Sequence, residues 1–284
     1  KALIQTTALL AAAVALTSAM AKGEAIYLFQ DLGNGVGQLV KFNSATPGTL
    51  NSPVVLSGFP GTDITLFGID FNPADGLLYG RTTNGGVNGT TVTINTTTGA
   101  MTALGAATAS GGGSFYGFDF DPTAGQYRLV SDSANNRRFD AATGALVQVD
   151  TSLNGAATAI SNIAYANNVQ GAATTTLYGI DHVADLLVQM NGATGLVTTV
   201  GPLGVNAPNI GGFDISGVTG TAYAVFRVNS VSGLYTIDLN TGAATFQGAI
   251  GAGTGIYSGL AVQPAAVVGN TVPEPSSVLM MGLG

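Results

Sequence analysis

Polar and apolar residues alternate with a period of two in Thr91-Val-Thr-Ile94 and Leu234-Tyr-Thr-Ile-Asp238, the spacing of strands that pack one face and wet the other. No helical periodicity competes with it between Ala25 and Pro264. The clearest longer pattern is Phe67-Gly-Ile-Asp-Phe-Asn-Pro-Ala-Asp-Gly-Leu-Leu-Tyr79-Gly80: an apolar run, a Pro-containing turn, and a second apolar run. It returns as Phe115-Tyr-Gly-Phe-Asp-Phe-Asp-Pro-Thr-Ala-Gly-Gln-Tyr127 and as Ile210-Gly-Gly-Phe-Asp-Ile-Ser-Gly-Val-Thr-Gly-Thr-Ala-Tyr223. A weaker copy, Ile163 to Gly171, leads into Leu177-Tyr-Gly-Ile180. Between these copies a second cassette repeats: Asn95 to Gly99, Asp140 to Gly144, Asn191 to Gly195 and Asp238 to Gly242. In each, Asp or Asn starts a side-chain-to-backbone turn and Gly, four residues on, takes a positive φ, which is the punctuation of a hairpin.

The two cassettes divide the chain from Ala25 into five units of roughly 45 to 50 residues, each with about four strand-length runs. They begin at Ala25, Leu77, Gln126, Thr176 and Thr221. Four strands per unit and regular turns predict an all-β fold, a β-propeller of about five four-stranded blades. Ring closure would also protect the sheet edges. The alternatives are six blades, if Asp150 to Gln170 hides further strands, and a β-solenoid.

Composition sharpens this picture. Charged residues make up 8% of the chain, against about 25% in ordinary domains. The chain holds 42 glycines, no cysteine and a formal charge of −7. Few Lys and Arg are present to neutralise phosphates, so nucleic acid is excluded as a partner. Between Ala25 and Val272 there is no Glu and Lys41 is the one lysine, so the acidic balance rests on Asp, mostly at expected turn positions.

The two ends read as addresses. An apolar run from Ala8 to Leu16, followed by Thr17-Ser-Ala-Met-Ala21, has the form of a secretory signal cleaved after Ala21, with residues 1–21 removed. It is short of the about 20 apolar residues of a membrane anchor. Residues 22–264 are the expected propeller and 265–271 a linker. Val272-Pro273-Glu274-Pro275-Ser-Ser-Val-Leu then opens residues 272–284, which resemble the start of a PEP-CTERM sorting signal: Val-Pro-Glu-Pro, an apolar span and a short Arg-rich tail. The chain begins without Met and ends within that span, so the expectation is a segment of a longer reading frame. The resemblance implies export to the cell surface or extracellular space of a Gram-negative envelope, processing by machinery of the exosortase type, and only transient membrane contact.

The units as a set resemble the bacterial DUF4394 domain family. The likeness rests on Gly68-Ile-Asp-Phe-Asn-Pro73, Leu78-Tyr-Gly80, Gly117-Phe-Asp-Phe-Asp-Pro-Thr123, Tyr127-Arg-Leu-Val-Ser-Asp132, Asn135-Asn-Arg-Arg-Phe139, Thr176-Leu-Tyr-Gly-Ile-Asp181, Gly233 to Ala243 and Gly259-Leu-Ala-Val262. It covers most of Phe67 to Val262 and brings no known activity or catalytic residues. Where the family tends to a Gly-Gln-Asn-Leu-Arg-like run, this chain has Ala134-Asn-Asn-Arg-Arg138, which doubles the cation.

Candidate chemistry is sparse. Acid–base hydrolysis needs two neighbouring carboxylates, and only Asp pairs are available: Asp70 with Asp75, Asp119 with Asp121, and Asp181 with Asp185 around the single His182. We read these as turn caps, His182 as a loop histidine, and assign no catalytic residue; the reading favours no enzyme. Zinc lacks ligands, and no Gly-x-Ser-x-Gly elbow is present. Calcium is the one cofactor the residues suggest, through oxygens of Asp70, Asn72 and Asp75, although the spacing is not that of an EF-hand. The run Asp132 to Asp140 concentrates positive charge, and Asp132, Asn135, Asn136, Arg137 and Arg138 form a candidate binding set for carboxylates or an acidic polysaccharide. The plainer reading pairs the two arginines with Asp132 and Asp140 across a hairpin. The expected function is an exported structural or binding protein of the cell surface or extracellular matrix, with exopolysaccharide or matrix proteins as partners. The alternative is a carbohydrate-active hydrolase or lyase of propeller type that uses Asp.

Overall fold

The computed structural model describes residues 23–265 except residue 84. The signal-like segment with Ala21 and the Pro273-Glu274-Pro275 motif lie outside the described residues. Every regular element described is a strand; the five larger sheets form five blades, and Asn88–Gly89 pairs with Thr108–Ala109 in a separate two-stranded ribbon. The second blade runs outward through Thr65–Phe71, Leu78–Thr83, Thr91–Ile94 and Met101–Ala103; the third through Tyr116–Asp121, Gln126–Ser131, Asn136–Asp140 and Leu146–Val149. The fourth runs from Ile160–Tyr165 through Leu177–Asp181 and Leu186–Met190 to Leu196–Pro202, and the fifth from Gly212–Ile215 through Ala222–Val228 and Val231–Ile237 to Ala244–Ala249. The first blade is made from both ends of the chain. Leu260–Val262 is its innermost strand and pairs antiparallel with Ala25–Gly33, which leads to Val36–Asn43 and Val54–Val55.

This clasp corrects the phase of the repeat. Each unit that opens on Leu-Tyr-Gly supplies three outer strands of one blade and the innermost strand of the next. A closed ring has no natural first strand, so sequence periodicity gives the blade length and leaves the cut point open. No sixth blade hides between Asp150 and Gln170: that stretch holds Asn154–Gly155, a parallel addition to the outer edge of the fourth blade, and that blade's innermost strand.

The core is divided among the seams between blades. In the first blade Tyr27 and Phe29 pack with Leu66, Ile69 and Phe71 of the second, while the intervening Ile26 and Leu28 pack with Tyr223, Val225 and Leu234 of the fifth. A strand buried on both faces thus still obeys the period of two, sending alternate side chains to opposite neighbours. Three similar seams complete the ring, with Phe118, Phe120, Tyr127 and Phe139 filling the one between the second and third blades.

The predicted hairpin turns form as expected. Asn95 Oδ1 accepts from the N–H of Thr97 and Thr98 at 2.9 Å, and Gly99 adopts φ 74°. Asp238 and Gly242, at φ 83°, repeat the arrangement. These glycines have a second duty: a Cβ on Gly99 would collide with the Val55 carbonyl of the preceding blade, and one on Gly242 with that of Gly201. The turns therefore dock blade on blade.

Candidate functional site

The site is set by a layer of small residues around the axis. Gly68, Gly117 and Gly212 lie at equivalent places on three innermost strands, Asn162 holds that place on a fourth, and Gly259 immediately precedes the fifth. A Cβ on Gly117 would stand 2.7 Å from the Ile163 nitrogen, and one on Gly212 2.5 Å from that of Leu260. Glycine is what lets neighbouring inner strands approach this closely.

Two residues further along each strand, on the same face, stand Asp70, Asp119, Ala164, Asp214 and Ala261. The three aspartates are 0 to 1% exposed, and one carboxylate oxygen from each lies within 4.8 Å of the others. An innermost strand has no neighbour on its axial side, so its N–H groups there need partners. The aspartates supply them. Asp70 accepts from Phe71 at 2.7 Å and from Phe120 at 3.0 Å; Asp119 Oδ1 accepts from Tyr165 at 3.0 Å; Asp214 accepts from Ile215 and Val262, both at 2.6 Å. Every blade thereby has its axial amide capped, and three of these bonds cross to the following blade. Five amides occupy five of six oxygens. The sixth, Asp119 Oδ2, is buried with no hydrogen-bond partner among the described residues.

Electrostatics follow from this crowding. Burial first, and then the charge of Asp214, push the Asp70 carboxyl well above the usual range, against the pull of its two amide donors. Asp119 is raised in the same way by burial and by the charges of Asp70 and Asp214. Asp214 is raised to about 6, chiefly by burial, with the Val262 and Ile215 amides and the Asn168 side chain opposing and Glu24 adding to the rise.

Above this layer the channel opens into a cavity of about 500 Å³. Its wall includes Thr65 to Phe67, Gly113 to Tyr116, Ser161, Asn209 to Gly211 and Ser258, so each blade contributes residues next to its axial strand. Hydroxyl, amide and aromatic groups dominate, with Asp31 as the one carboxylate in the wall. Three residues of strand separate Phe67 from Asp70, a depth of about 10 Å.

The candidate residues are distributed differently from expectation. The turn-cap reading of Asp70 and Asp119 is overturned, because an inner-strand side chain two residues past the glycine faces the axis. Asp70 is likewise divided from its proposed calcium partners. Asn72 Oδ1 accepts from the Ala74 N–H, its Nδ2 donates to Asp75, and Asp75 also accepts from Leu77 N–H and Tyr79 OH, while both Asp70 oxygens are engaged at the axis. Asp121, Asp181 and Asp185 do accept from local or neighbouring backbone amides, at Thr123, Val183 and Ala207. His182 is a loop residue, its Nδ1 2.8 Å from the Ala159 carbonyl oxygen.

The candidate binding set splits in two. Asp132 accepts from Ser114 N–H at 2.9 Å and Asn135 bonds to Gly112 O and Ser131, so this pair braces the loop at the cavity rim. Asn136 and Arg138 belong to the seam toward the fourth blade. The arginine pairing expected with Asp132 and Asp140 is not formed: Arg138 makes a bidentate contact with Asp150 at 2.7 and 2.8 Å, and Asp140 caps its own turn through Thr143. Asp150 also takes Arg128 at 2.9 Å, and Arg128 reaches Tyr165 OH, Gly192 O and Asn136. Arg137 forms no ion pair among the described residues, and its Nε is buried without a partner.

Sequence reasoning missed the convergence of Asp70 with Asp119 and Asp214. The signal was present as Gly-x-Asp at 68–70, 117–119 and 212–214. Arg81 was also missed. It is fully buried, donates to Ser110, Thr91, Tyr127 and Thr108, and lies 4.1 Å over the Phe139 ring.

The architecture and site define a five-bladed β-propeller with an axial carboxylate cluster beneath an open mouth. The chain belongs to the family described as "Domain of unknown function (DUF4394)", whose model matches residues 38–261. Among solved structures it is similar to a chain of a nidogen/laminin complex, with TM-score 0.53 and 10% identity, covering 84% of this chain and 98% of the other. A protein of unknown function from Bacteroides thetaiotaomicron VPI-5482 gives 0.52 and 13%, covering 87% and 68%. At these identities the likeness is one of fold. No curated protein matches the chain in sequence.

Proposed function

We propose that this propeller is a non-catalytic binding module, exported to the cell surface or extracellular matrix, that takes extracellular polysaccharide at its axial mouth. The observation that carries the reading is the composition of the cavity: Phe67, Phe115 and Tyr116 among Ser, Thr, Asn and backbone amides. Aromatic faces and neutral hydrogen-bonding groups suit sugar rings and hydroxyls, and cavities of this kind bind with few charged groups. The carboxylates on the axis are sealed below the cavity and already cap amides. That arrangement supports binding over the hydrolase or lyase alternative. Arg137, on the strand behind the Gly111 to Ser114 loop and without an ion pair among the described residues, favours an acidic polymer.

The export reading is supported by the Ala8 to Leu16 run with its Ala19-Met-Ala21 site, and the surface address by Val272-Pro-Glu-Pro275. A calorimetric titration of the purified chain with acidic exopolysaccharide fragments tests the ligand. Phe115→Ala is expected to weaken binding at least tenfold and Arg137→Ala to weaken acidic fragments selectively. Absence of binding, or binding indifferent to both changes, overturns the reading. Edman sequencing of the protein recovered from culture fluid is expected to begin at Lys22.

A further inference from the structure

We infer that Asp70, Asp119 and Asp214 form a cation site on the propeller axis, fitted to one Ca2+-sized divalent ion per chain. The inference is independent of the polysaccharide reading, because it concerns the sealed layer beneath the cavity.

The acidic cluster alone would not carry this. Three carboxylates capping five amides is a sufficient structural explanation for five of their oxygens. The sixth oxygen is what remains. Asp119 is 1% exposed, its Oδ1 is committed to Tyr165 N–H, and Oδ2 has neither a donor nor water-accessible surface among the described residues. A buried carboxylate oxygen left without a partner forfeits its hydration with nothing in exchange. Its carboxylate stands in the company of two further carboxylates, and among the described residues no Lys, Arg or His is in hydrogen-bonding or ion-pair contact with any of the three. A second buried oxygen without a partner, Asn168 Oδ1, belongs to a residue whose side chain bears on Asp214. The set is all oxygen, which selects a hard cation, and no Cys or His is present to favour zinc.

The spacing admits calcium. Oxygens bound to Ca2+ at 2.3–2.6 Å can lie up to about 5 Å apart across the ion, whereas Mg2+, at 2.0–2.1 Å, draws them to about 4 Å. Oxygens that all lie within 4.8 Å of one another are within the span that the larger ion bridges. Alanine at 164 and 261 leaves two of the five axial positions without a carboxylate. Five aspartates would more than triple the number of repelling pairs around one ion; three carry enough charge for a divalent one. The ion would join three blades that are not held to one another by disulfides, since the chain has no cysteine.

The test uses the full purified chain, stripped with chelator and titrated with CaCl2 by calorimetry. The expected result is one ion per chain. Asp119→Asn should weaken calcium at least tenfold, while Asp238→Asn, at an exposed turn, should leave the affinity unchanged. Loss of binding in Asp75→Asn with binding retained in Asp119→Asn would move the ion to the Asn72 turn and overturn the site. A wild-type measurement guards against a variant that does not fold: the melting temperature in millimolar calcium should exceed that in EDTA by several degrees. An identical melting temperature in the two, with no calorimetric binding, overturns the inference and leaves a cluster that carries protons only.

Discussion

Arg128 and the axial aspartates both bury charge, about one strand apart, and they do so differently. At the seam of the third and fourth blades Arg128 meets Asp150, Tyr165, Asn136 and Gly192, and Asp150 is closed on its other side by Arg138. Donors and acceptors balance there. On the axis three carboxylates face one another with amide donors alone, and one oxygen is left over. Tyr165 touches both regions: its N–H caps Asp119 and its hydroxyl accepts from Arg128. The seam holds opposite charges whose sum is small, so it is complete without a ligand. The axis holds charge of one sign, and completion there requires a proton or a cation.

The largest expected effect breaks the complete side. Asp150→Ala leaves Arg128 buried without a carboxylate, and the loss should be about 3–5 kcal/mol, the range for unpairing a buried charge. Urea unfolding of the purified variant measures it, and a loss below about 1 kcal/mol would mean that neutral acceptors suffice for Arg128.

The next effect has the opposite sign. In metal-free protein at pH 7, Asp119→Asn removes one of three mutually repelling charges, keeps an oxygen for Tyr165 N–H, and provides N–H donors to the neighbouring carboxylates. It should stabilise the fold by on the order of 1–2 kcal/mol by the same urea assay. Destabilisation of similar size would contradict the repulsive axis.

The two regions should also separate by pH. Asp214 is raised to about 6 in the folded chain, above its unfolded value, so the unfolded state binds fewer protons in this window and stability falls as pH rises through it. The melting temperature of chelator-treated protein should therefore rise on acidification from pH 7 to 5. Asp150 behaves inversely. Burial pulls its carboxyl upward, yet Arg138 and Arg128 hold it below the usual range. Its contribution is present above the unfolded value and is lost only as pH falls below the ordinary carboxylate range. A melting temperature that falls steadily from pH 7 to 5 would assign control to groups other than the axis.

The smallest effect is Arg138→Ala. With its side chain 31% exposed, the bidentate pair is partly screened, and the loss should be about 1 kcal/mol or less. Comparing that figure with Asp150→Ala separates the exposed arginine from the buried one.

How far each region was legible follows from the range of its interactions. The Asn95 to Gly99 and Asp238 to Gly242 turns are closed by bonds within five residues, and they read directly from sequence. The repeat length and blade count follow from those turns. The cut point did not, because Leu260–Val262 joins Ala25–Gly33 across almost the whole chain. The axial cluster is intermediate. A period of two places Asp70 on the same face as Gly68, but only ring closure shows that this face meets Asp119 and Asp214, 49 and 144 residues away. Asp150 gave no sign at all: it follows the last strand of the third blade in irregular chain, and its two arginines reach it from different strands. The paired cation of Arg137-Arg138 was visible, whereas the division that frees one and ties the other was not.

The convergence of the axial carboxylates is the central claim, and site-resolved NMR titration of the aspartate side-chain carbons in metal-free protein tests it most directly. Asp214 should titrate near pH 6, with Asp70 and Asp119 also above the ordinary carboxylate range. If all three titrate at the ordinary carboxylate value of about 4, the carboxylates do not share a buried axis and the account fails.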